Sequence, residues 1–334
     1  MNQTILVTGA TGAVGPSVVN ALHQAGCRIR AFSVDAPKEG MFPRNVEVLL
    51  GDVTDKVAVQ SAMQGMDGVI HLAAILHTVN PLPEMRKKYE SVNIGGTSMV
   101  IEAAIKARVK GVVFFSTIEV YGPSDGCVFN EMSQTHPVTL YAQTKLAAEQ
   151  IVLNARRTEG QPLGTVLRLG TVYGPRIKGN YERLIHSLAS NRFIPIGNGL
   201  NRRTLVYDKD VGRAAALAAS HPAAAGLLFN VTDGGVHTMN EIIESICDAL
   251  DRKTPRISLP LGVSYQIANL IEKIARATGF NLPAVRSMID KYTEDIAVDG
   301  SLFQKEIGFV PQYNLKTGWA DTIREMRASK EYLI

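Results

Sequence analysis

The two side chains best suited to proton transfer in this chain are Tyr141 and Lys145, which lie four residues apart in the segment YAQTK. The segment predicts the start of a helix over 141–157, and residues four apart share one face of a helix. A free phenol titrates near pH ~10, too high for proton exchange with an alcohol at neutral pH, but a neighbouring ammonium favours the phenolate. The spacing therefore indicates an acid–base pair, although it is also common on solvated helix faces.

Two hydroxyls, those of Ser116 and Thr117, end the apolar run over 112–115. Parallel sheets present ligand-binding groups at the carboxyl ends of their strands, so a strand that ends here would carry Thr117 to a ligand crevice. The alternative is that these hydroxyls only cap the end of the strand. Thr117 is therefore a candidate partner for a reacting oxygen.

A glycine-rich segment, TGATGAVG over 8–15, follows a short apolar run and precedes a predicted helix over 17–25. Gly9 permits a tight turn, Gly12 lets the backbone approach a phosphate, and Gly15 lets the helix pack on the strand. The first N–H groups of that helix would face the anion. The pattern therefore predicts the pyrophosphate site of a dinucleotide cofactor.

Short apolar runs alternate with helical patterns along the first half of the chain. The predicted strands are 5–7, 27–34, 46–50, 68–72, 111–116 and 162–169. The predicted helices between them are 17–25, 56–63, 89–107 and 141–157. This alternation is typical of a doubly wound α/β fold with a parallel sheet, of the Rossmann type.

The remainder of the chain predicts a smaller C-terminal lobe. Its elements are helices over 181–191, 239–250, 265–278 and 316–326 and strands at 205–207 and 227–231. We expect a dinucleotide-binding domain over 1–172, with returning segments near 204–235, and a substrate-binding lobe over 173–203 and 236–334.

Composition excludes several classes of function. Lysine and arginine total 35 against 31 for aspartate and glutamate, and the net charge of +4 forms no basic block, so nucleic acid is not an expected partner. The three cysteines, Cys27, Cys127 and Cys247, are far apart and lack metal-ligand spacing, which argues against a disulfide framework or a metal site. The N-terminus has no signal-peptide pattern and no run of about 18 apolar residues occurs, so we expect a cytoplasmic protein without a spanning helix.

Apolar residues recur at helical spacing over 261–274, namely at Leu261, Val263, Ile267, Leu270, Ile271 and Ile274. The pattern fits either a helix on a membrane surface or a helix packed on the core of the lobe. Because the polar face is mixed rather than strongly basic, core packing is the expectation.

Five motifs in collinear order make the chain resemble a known family. They are TGATGAVG at 8–15, HLAA at 71–74, YESVNIGGT at 89–97, FFSTIEVYG at 114–122 and YAQTK at 141–145. With these motifs the chain, from residue 4 to about residue 326, resembles the extended short-chain dehydrogenase/reductases of the NAD-dependent epimerase/dehydratase family. The resemblance implies reversible hydride transfer between a nicotinamide cofactor and a secondary alcohol or ketone.

The resemblance also assigns a catalytic trio, Thr117, Tyr141 and Lys145. Tyr141 would move the proton, Thr117 would hydrogen-bond the reacting oxygen, and Lys145 would lower the pKa of the phenol and bind the cofactor ribose. Cofactor contacts are implied at Gly9, Gly12, Ala13, Val14, Gly15, Asp52, Val53, Leu72, Ala73, Ala74, Asn93, Tyr141 and Lys145.

The cofactor preference depends on the end of the second predicted strand. The acidic position usual in NAD enzymes falls on Ser33 and the arginine position usual in NADP enzymes falls on Val34, while Asp35 comes two residues late. Because no arginine stands there, NAD is the expected cofactor with Asp35 as its ribose contact, and NADP is the alternative.

The substrate implied by the resemblance is a nucleotide sugar. Arg203, in the segment NRRTLVY, falls where relatives bind a diphosphate, and Asn180 and Glu119 are further candidate substrate contacts. Related dehydratases carry an acid where this chain has Ile118, and an apolar side chain cannot protonate a leaving hydroxyl. Hydride transfer without dehydration is therefore favoured, and within the resemblance a reaction of the 4-epimerase type is the leading expectation.

Other functions stay open from the sequence. One is a dehydrogenase or reductase of a hydrophobic alcohol such as a sterol, another is a sugar-nucleotide dehydratase or decarboxylase, and a third is a cofactor-binding regulatory protein. The alternative for Arg203 is a surface salt bridge. The resemblance further implies a homodimer formed through the helices over 89–107 and 141–157.

Overall fold

A seven-stranded parallel sheet forms the centre of the protein. The structure is a computed structural model that describes residues 3–76, 84–278 and 285–329. The strands of the described chain, in the central sheet and outside it, are β1 (Thr4–Thr8), β2 (Arg28–Ser33), β3 (Glu47–Leu50), β4 (Gly68–His71), β5 (Gly111–Thr117), β6 (Gly164–Leu169), β7 (Thr171–Tyr173), β8 (Arg202–Arg203), β9 (Leu205–Tyr207), β10 (Leu228–Val231) and β11 (His237–Thr238). In the central seven-stranded sheet the strand order is β3-β2-β1-β4-β5-β6-β10. The direction of winding reverses between β1 and β4, which is where sheets of this kind bind their ligands.

Helices cover both faces of the sheet. The α-helices of the described chain, including those of the smaller lobe, are α1 (Gly15–Gln24), α2 (Lys56–Met63), α3 (Met85–Tyr89), α4 (Thr97–Lys106), α5 (Leu140–Asn154), α6 (Asn180–Ala189), α7 (Asp208–Ser220), α8 (Met239–Leu250), α9 (Leu261–Thr278), α10 (Val285–Thr293), α11 (Ser301–Ile307) and α12 (Leu315–Ala328). Helices α1 and α7 share one apolar cluster with the sheet, and α2, α4 and α5 share the cluster on the other face. The predicted doubly wound α/β fold is therefore confirmed, and the six strands predicted for the first half end within two residues of their expected bounds.

The helix predicted over 89–107 is not one regular helix. A π-helical stretch, Glu90–Gly96, separates α3 from α4. A Cβ on Gly96 would lie 2.8 Å from Cγ2 of Val53, so glycine lets this turn approach the loop after β3. π-helical turns are frequent at functional sites, and this one holds the side chain of Asn93 in the interior.

The chain leaves the sheet after β6 and builds a smaller lobe. There β7 pairs with β9 in parallel and β8 pairs with β11 in an antiparallel manner. Helices α6, α8 and α12 enclose Trp319, which is fully buried with its ring centre 4.2 Å from that of Tyr173. The chain returns to the sheet through α7, which packs on α1, and β10, which pairs with β6. Strand β7 was not predicted; it begins two residues after β6 ends, with only Gly170 between them.

The helix predicted over 265–278 begins earlier, as α9, and the expectation that its apolar spacing packs on a core is wrong. Among the α9 residues whose burial the structure describes, the buried ones are small, namely Ser264, Ala268 and Ala275, and α9 packs on α10. Small residues bring two helices close together and leave no room between them for large side chains. The large apolar residues are therefore exposed, at Leu261, Val263, Ile267, Leu270, Ile271 and Ile274. Among the helices in the described part of the chain, none combines the length and the apolar character that crossing a membrane requires.

Candidate active site

The predicted catalytic trio lies at the carboxyl edge of the sheet. Thr117 is the last residue of β5, and its Oγ1 accepts a hydrogen bond of 3.2 Å from the amide of Glu119. Tyr141 and Lys145 lie in the first two turns of α5, which packs on β5 and β6. Thr139 caps the start of α5, because its Oγ1 accepts a hydrogen bond of 3.1 Å from an amide of the first turn. Strand and helix together bring the three residues to one edge of the sheet.

Lys145 is almost completely buried, with 2% of its surface exposed. Its Nζ lies 4.1 Å from the centre of the Phe114 ring on β5. Burial lowers the pKa of Lys145 to about 7, and the negative charge of Glu149 opposes that shift. A lysine in this state changes its charge near neutral pH, and its ammonium form favours a neighbouring phenolate.

Tyr141 is partly exposed, and its surroundings keep it protonated. Burial raises the pKa of Tyr141, and so do the negative charge of Glu119 and the nearby Tyr89. The phenolate therefore needs positive charge to form at neutral pH. The Lys145 ammonium supplies one such charge, and an oxidised nicotinamide ring would supply a second.

A buried ion pair that was not predicted from the sequence lies next to the trio, one helical turn after Lys145. Arg168 donates to the two carboxylate oxygens of Glu149 at 2.9 Å and 2.6 Å, and the hydroxyl of Ser116 donates to the same carboxylate. Glu149 lies one helical turn after Lys145, and Ser116 pairs with Arg168 across β5 and β6. The four-residue spacing from Lys145 could have indicated Glu149 from the sequence, but its partner on β6 could not be predicted without the register of the sheet.

At three positions of the loop after β1, a side chain would have different consequences. Gly9 has a φ of +68°, and a Cβ there would lie 2.7 Å from the amide nitrogen of Ala73. A Cβ on Gly15 would overlap the carbonyl of Ala10, so glycine lets α1 start this close to the loop. A Cβ on Gly12 would have the carbonyl oxygen of Gly9 as its nearest atom, at 3.1 Å. The open side of the loop is therefore at Gly12, where the sequence predicts the approach of a phosphate.

Backbone amides at the start of α1 add to this anion site. Within residues 3–76, 84–278 and 285–329, the amides of Ala13 and Val14 donate to no backbone carbonyl. The first turn of a helix also carries partial positive charge. Loop and helix terminus therefore fit a pyrophosphate group.

His71, at the end of β4, is fully buried between two hydroxyls. Its Nδ1 lies 2.6 Å from Oγ1 of Thr8, and its Nε2 lies 3.0 Å from Oγ1 of Thr97. Because the Thr97 hydroxyl donates to the carbonyl of Asn93, the proton of the ring belongs on Nε2, and Nδ1 accepts from Thr8. Burial lowers the pKa of His71 to about 3, so the ring stays neutral and connects β1, β4 and α4.

Asn93 fixes the loop 72–75, which contains the cofactor contacts predicted at Leu72, Ala73 and Ala74. Its Oδ1 accepts from the amide of Ile75 at 2.8 Å, and its Nδ2 donates to the carbonyl of Ile75 at 3.2 Å. Nδ2 also donates to Oγ1 of Thr144 on α5, at 3.0 Å. In this structure Asn93 therefore positions the loop after β4 against the helix that carries Tyr141.

Acidic groups follow two further strand ends. Asp35 is exposed, two residues after β2, while the buried Ser33 accepts a hydrogen bond of 3.1 Å from the amide of Thr11. Ser33 thus holds the glycine loop in place, and the exposed Asp35 stays the predicted contact of the ribose. Asp52, after β3, accepts from the amide and the hydroxyl of Thr54, both at 2.8 Å. Asp52 therefore shapes the turn before α2, next to the buried Val53.

On the other side of the trio, four charged side chains alternate in sign from the lobe to the loop after β5. Nη1 of Arg203 lies 3.0 Å from the carboxylate of Glu294. Nζ of Lys291, on α10, lies 2.9 Å from the same carboxylate and 3.2 Å from Oε1 of Glu119. Oε2 of Glu119 is buried and has no hydrogen-bond partner in the described part of the chain. The chain of charges connects the lobe to Glu119, which raises the pKa of Tyr141.

The two other predicted substrate residues are already engaged. Arg203 is 6% exposed, and besides Glu294 its guanidinium donates to the backbone carbonyls of Lys291 and Tyr292. A diphosphate at Arg203 would therefore have to replace Glu294. The side-chain oxygen of Asn180, at the start of α6, accepts a hydrogen bond of 2.8 Å from an arginine one turn later.

Comparison with known proteins gives a family and several relatives. The family model described as "NAD dependent epimerase/dehydratase family" matches residues 5–232. One relative is an N-acetyl-alpha-D-glucosaminyl-diphospho-ditrans,octacis-undecaprenol 4-epimerase of Escherichia coli O157:H7, 26% identical over 330 residues, which are 97% of this chain and 95% of the relative. Another is a UDP-glucose 4-epimerase of Vibrio cholerae, 27% identical over 327 residues, which are 96% of this chain and 95% of the relative.

A solved structure, MoeE5 in complex with UDP-glucose and NAD, has a similar fold. Its TM-score is 0.76 at 25% sequence identity, and the match covers 98% of this chain and 100% of that one. The family model spans the glycine loop, the predicted catalytic trio and β10, and NAD is present in the neighbouring structure. The chain belongs to the NAD-dependent epimerase/dehydratase family and is an NAD-dependent enzyme of the extended short-chain dehydrogenase/reductase type.

Proposed function

We propose that this enzyme is a 4-epimerase of a sugar carried on a diphosphate, with a nucleotide sugar as the first candidate. The observation that carries the proposal is the position of Tyr141 and Lys145 at the same sheet edge as the open glycine loop. Both relatives described above are 4-epimerases by name, and the similar structure holds UDP-glucose together with NAD.

The residues of the trio divide the work at one carbon and its oxygen. Tyr141 accepts the proton of the C4 hydroxyl as hydride leaves C4, and it returns the proton when hydride comes back to the opposite face of the ketone. NAD, when bound, takes up that hydride and gives it back. Thr117 hydrogen-bonds the reacting oxygen, and Lys145 stabilises the phenolate of Tyr141.

The surroundings of the trio support epimerisation over dehydration. A dehydratase needs an acid to protonate the leaving hydroxyl as well as a base. At the position after Thr117 this chain has Ile118, which is 2% exposed and packed in an apolar cluster. Glu119, the residue after Ile118, is paired with Lys291. Hydride transfer, by contrast, would need NAD and, of these side chains, only Thr117, Tyr141 and Lys145.

A polyprenol is the second candidate for the group on the diphosphate. The Escherichia coli relative acts, by its name, on a sugar attached through a diphosphate to undecaprenol. The exposed apolar side chains of α9 favour this candidate, because a sugar with such a carrier stays at a membrane surface.

We further propose that the enzyme works in the cytoplasm as a homodimer formed through α4 and α5. The division into a cofactor domain over 1–172, with returning segments near 204–235, and a substrate lobe over 173–203 and 236–334 is part of the same proposal. The return of α7 and β10 to the central sheet supports that division. The resemblance to the family supports the dimer.

The reaction can be tested by following the sugar itself. Purified enzyme with substoichiometric NAD is incubated with UDP-glucose or UDP-N-acetylglucosamine, and NMR reports the configuration at C4. We expect an equilibrium mixture of the two C4 epimers without net accumulation of NADH. Stoichiometric NADH would indicate a dehydrogenase, release of water would indicate a dehydratase, and either result would reject the epimerase.

Glu119→Gln should move the acidic limb of the pH profile of kcat/KM to lower pH, by about 0.5–1 unit. The negative charge of Glu119 raises the pKa of Tyr141, so its removal lets the phenolate form at lower pH. Because Tyr141 acts as a base, kcat/KM rises as the pH increases through the pKa of Tyr141. A lower pKa therefore moves this rise to lower pH. Initial rates across a pH series measure the shift.

Lys291→Met is the matched control, because it should move the same limb in the opposite direction. Loss of the ammonium leaves the charge of Glu119 uncompensated, which raises the pKa of Tyr141 further. NAD affinity should stay the same in both variants. A shift in one direction for both variants would reject the electrostatic role of this pair.

Arg203→Leu should raise KM for the sugar diphosphate by about 10- to 100-fold, because one charge-assisted hydrogen-bond donor to the diphosphate is lost. kcat and NAD affinity should change little. Glu294→Gln tests the competition between carboxylate and substrate, since it frees the guanidinium and should lower KM. An unchanged KM in both variants would return Arg203 to a structural role, and thermal unfolding shows whether each variant is folded.

A further inference from the structure

Helix α9 presents a continuous apolar surface to solvent. Val263, Ile267, Leu270, Ile271 and Ile274, which we call the α9 apolar face, are between 37% and 59% exposed. At 3.6 residues per turn they occupy an arc of about 100° and a length of about 16 Å along the helix. Single exposed apolar residues are ordinary, whereas a continuous face of large ones marks a site of interaction.

The part of the chain that contains this face carries predominantly positive charge. The segment 251–290 contains six basic and three acidic residues, so it accounts for three of the four net positive charges of the chain. The basic side chains are exposed, at Arg252, Lys253, Arg256, Lys273, Arg276 and Arg286.

Two of the three acidic side chains are engaged between α9 and α10. Glu272 accepts from the amide of Arg286 at 3.1 Å, and Asp290 accepts from the hydroxyl of Tyr265 at 2.6 Å. Glu272 also lies 3.9 Å from the guanidinium of Arg276. With six basic and three acidic residues the segment keeps a net positive charge, which is the charge it offers to a partner.

An apolar helical face next to basic side chains matches the surface of an anionic bilayer. The apolar residues can enter the boundary between headgroups and acyl chains, while lysine and arginine contact the lipid phosphates. A second copy of the chain matches less well, because a two-fold contact would bring the same basic groups against each other. We propose that the α9 apolar face docks on the surface of an anionic lipid bilayer.

The same pair of helices leads directly to the candidate active site. Lys291 and Tyr292, at the end of α10, offer their carbonyls to Arg203, and the ammonium of Lys291 contacts Glu119. Because α10 packs on α9, docking holds the substrate side of the site close to the bilayer. The docking inference goes beyond the proposed epimerase activity and does not depend on it, because it can be tested without any substrate.

The first test is co-sedimentation of the full-length protein with vesicles of about three parts phosphatidylcholine and one part phosphatidylglycerol. The variant Leu270→Gln with Ile274→Gln should bind at least about tenfold more weakly, because two side chains that would enter the bilayer become polar. Met132→Gln with Val310→Gln is the matched control, since these residues are 93% and 68% exposed and lie outside α9 and α10. The control should bind like the wild type, and both variants should keep the wild-type melting temperature because all four sites are exposed.

The second test changes the charge instead of the apolar face. Lys253→Gln with Arg256→Gln should weaken binding to the anionic vesicles by about 25-fold, since each basic residue near such a surface contributes about fivefold in affinity. Vesicles of phosphatidylcholine alone should bind the wild type more weakly than the anionic vesicles.

Three outcomes would overturn the inference. One is a wild type that does not sediment with anionic vesicles, and another is wild-type binding by the Leu270→Gln, Ile274→Gln variant. The third is a dimer of the wild type, seen by light scattering, that this variant abolishes while vesicles bind neither protein. That result would assign the α9 apolar face to a second copy of the chain.

Discussion

Tyr141→Phe should lower kcat by about two to four orders of magnitude while NAD binding stays nearly intact. The substitution removes the hydroxyl that moves the proton and leaves the ring that packs at the start of α5. Lys145 and the loop after β4, which are expected to contact the cofactor, are unchanged. Epimerisation followed by NMR gives kcat, and calorimetry with NAD gives the affinity of the cofactor.

Tyr89→Phe provides the matched control for this prediction. Tyr89 is a second buried phenol near the trio, and its hydroxyl donates to the carbonyl of Leu76 at 2.6 Å. Its loss should reduce the free energy of unfolding by about 1 kcal/mol and leave kcat within a few-fold of the wild type. If Tyr141→Phe also kept its turnover within a few-fold, Tyr141 would not be the acid–base group.

The parts of this site that were predicted from sequence are those whose chemistry is local. The glycine loop spans eight residues, and Tyr141 and Lys145 are one helical turn apart, so spacing alone relates their side chains. Thr117 could be predicted because a strand end is visible as the end of an apolar run. These elements are positioned by the backbone pattern, which the sequence carries directly.

Contacts between distant segments could not be predicted in the same way. Arg203 and Glu294 are 91 residues apart, and Lys291 and Glu119 are 172 residues apart. Each of these side chains looks like a free charge when its own segment is considered alone. The ion-pair partners are determined by how the lobe packs on the sheet. For this reason Arg203 was expected to be available for a diphosphate, whereas in the structure it forms an ion pair with Glu294.

Helix α9 shows a related limit of periodicity. The spacing of its apolar residues correctly indicates that they share a face, but periodicity does not say whether that face meets protein or solvent. The deciding residues are Ser264, Ala268 and Ala275, whose small side chains allow close packing on the other face. Small residues at helical spacing are as informative as large ones for the direction in which a peripheral helix packs.

Gly12→Val should abolish detectable NAD binding while the protein remains folded. A Cβ at this position would meet the carbonyl oxygen of Gly9 at 3.1 Å, a contact that a small adjustment relieves, and the branched side chain would then fill the open side of the loop. The pyrophosphate requires bare backbone at that point, because its oxygens accept from amides of the loop and of the first turn of α1. The expected cost in the free energy of unfolding is about 1 kcal/mol.

Gly15→Ala separates the loss of a ligand site from the loss of packing. A Cβ on Gly15 would overlap the backbone of Ala10, which cannot rotate away as a side chain could. We expect the free energy of unfolding to fall by about 3 kcal/mol, the upper end of the usual cost of overpacking. Thermal unfolding with and without NAD distinguishes the two variants, because a ligand that binds only the folded state raises the melting temperature. Gly12→Val should melt near the wild-type temperature and show no shift with NAD, whereas a shift of wild-type size would reject Gly12 as the point of approach for the pyrophosphate.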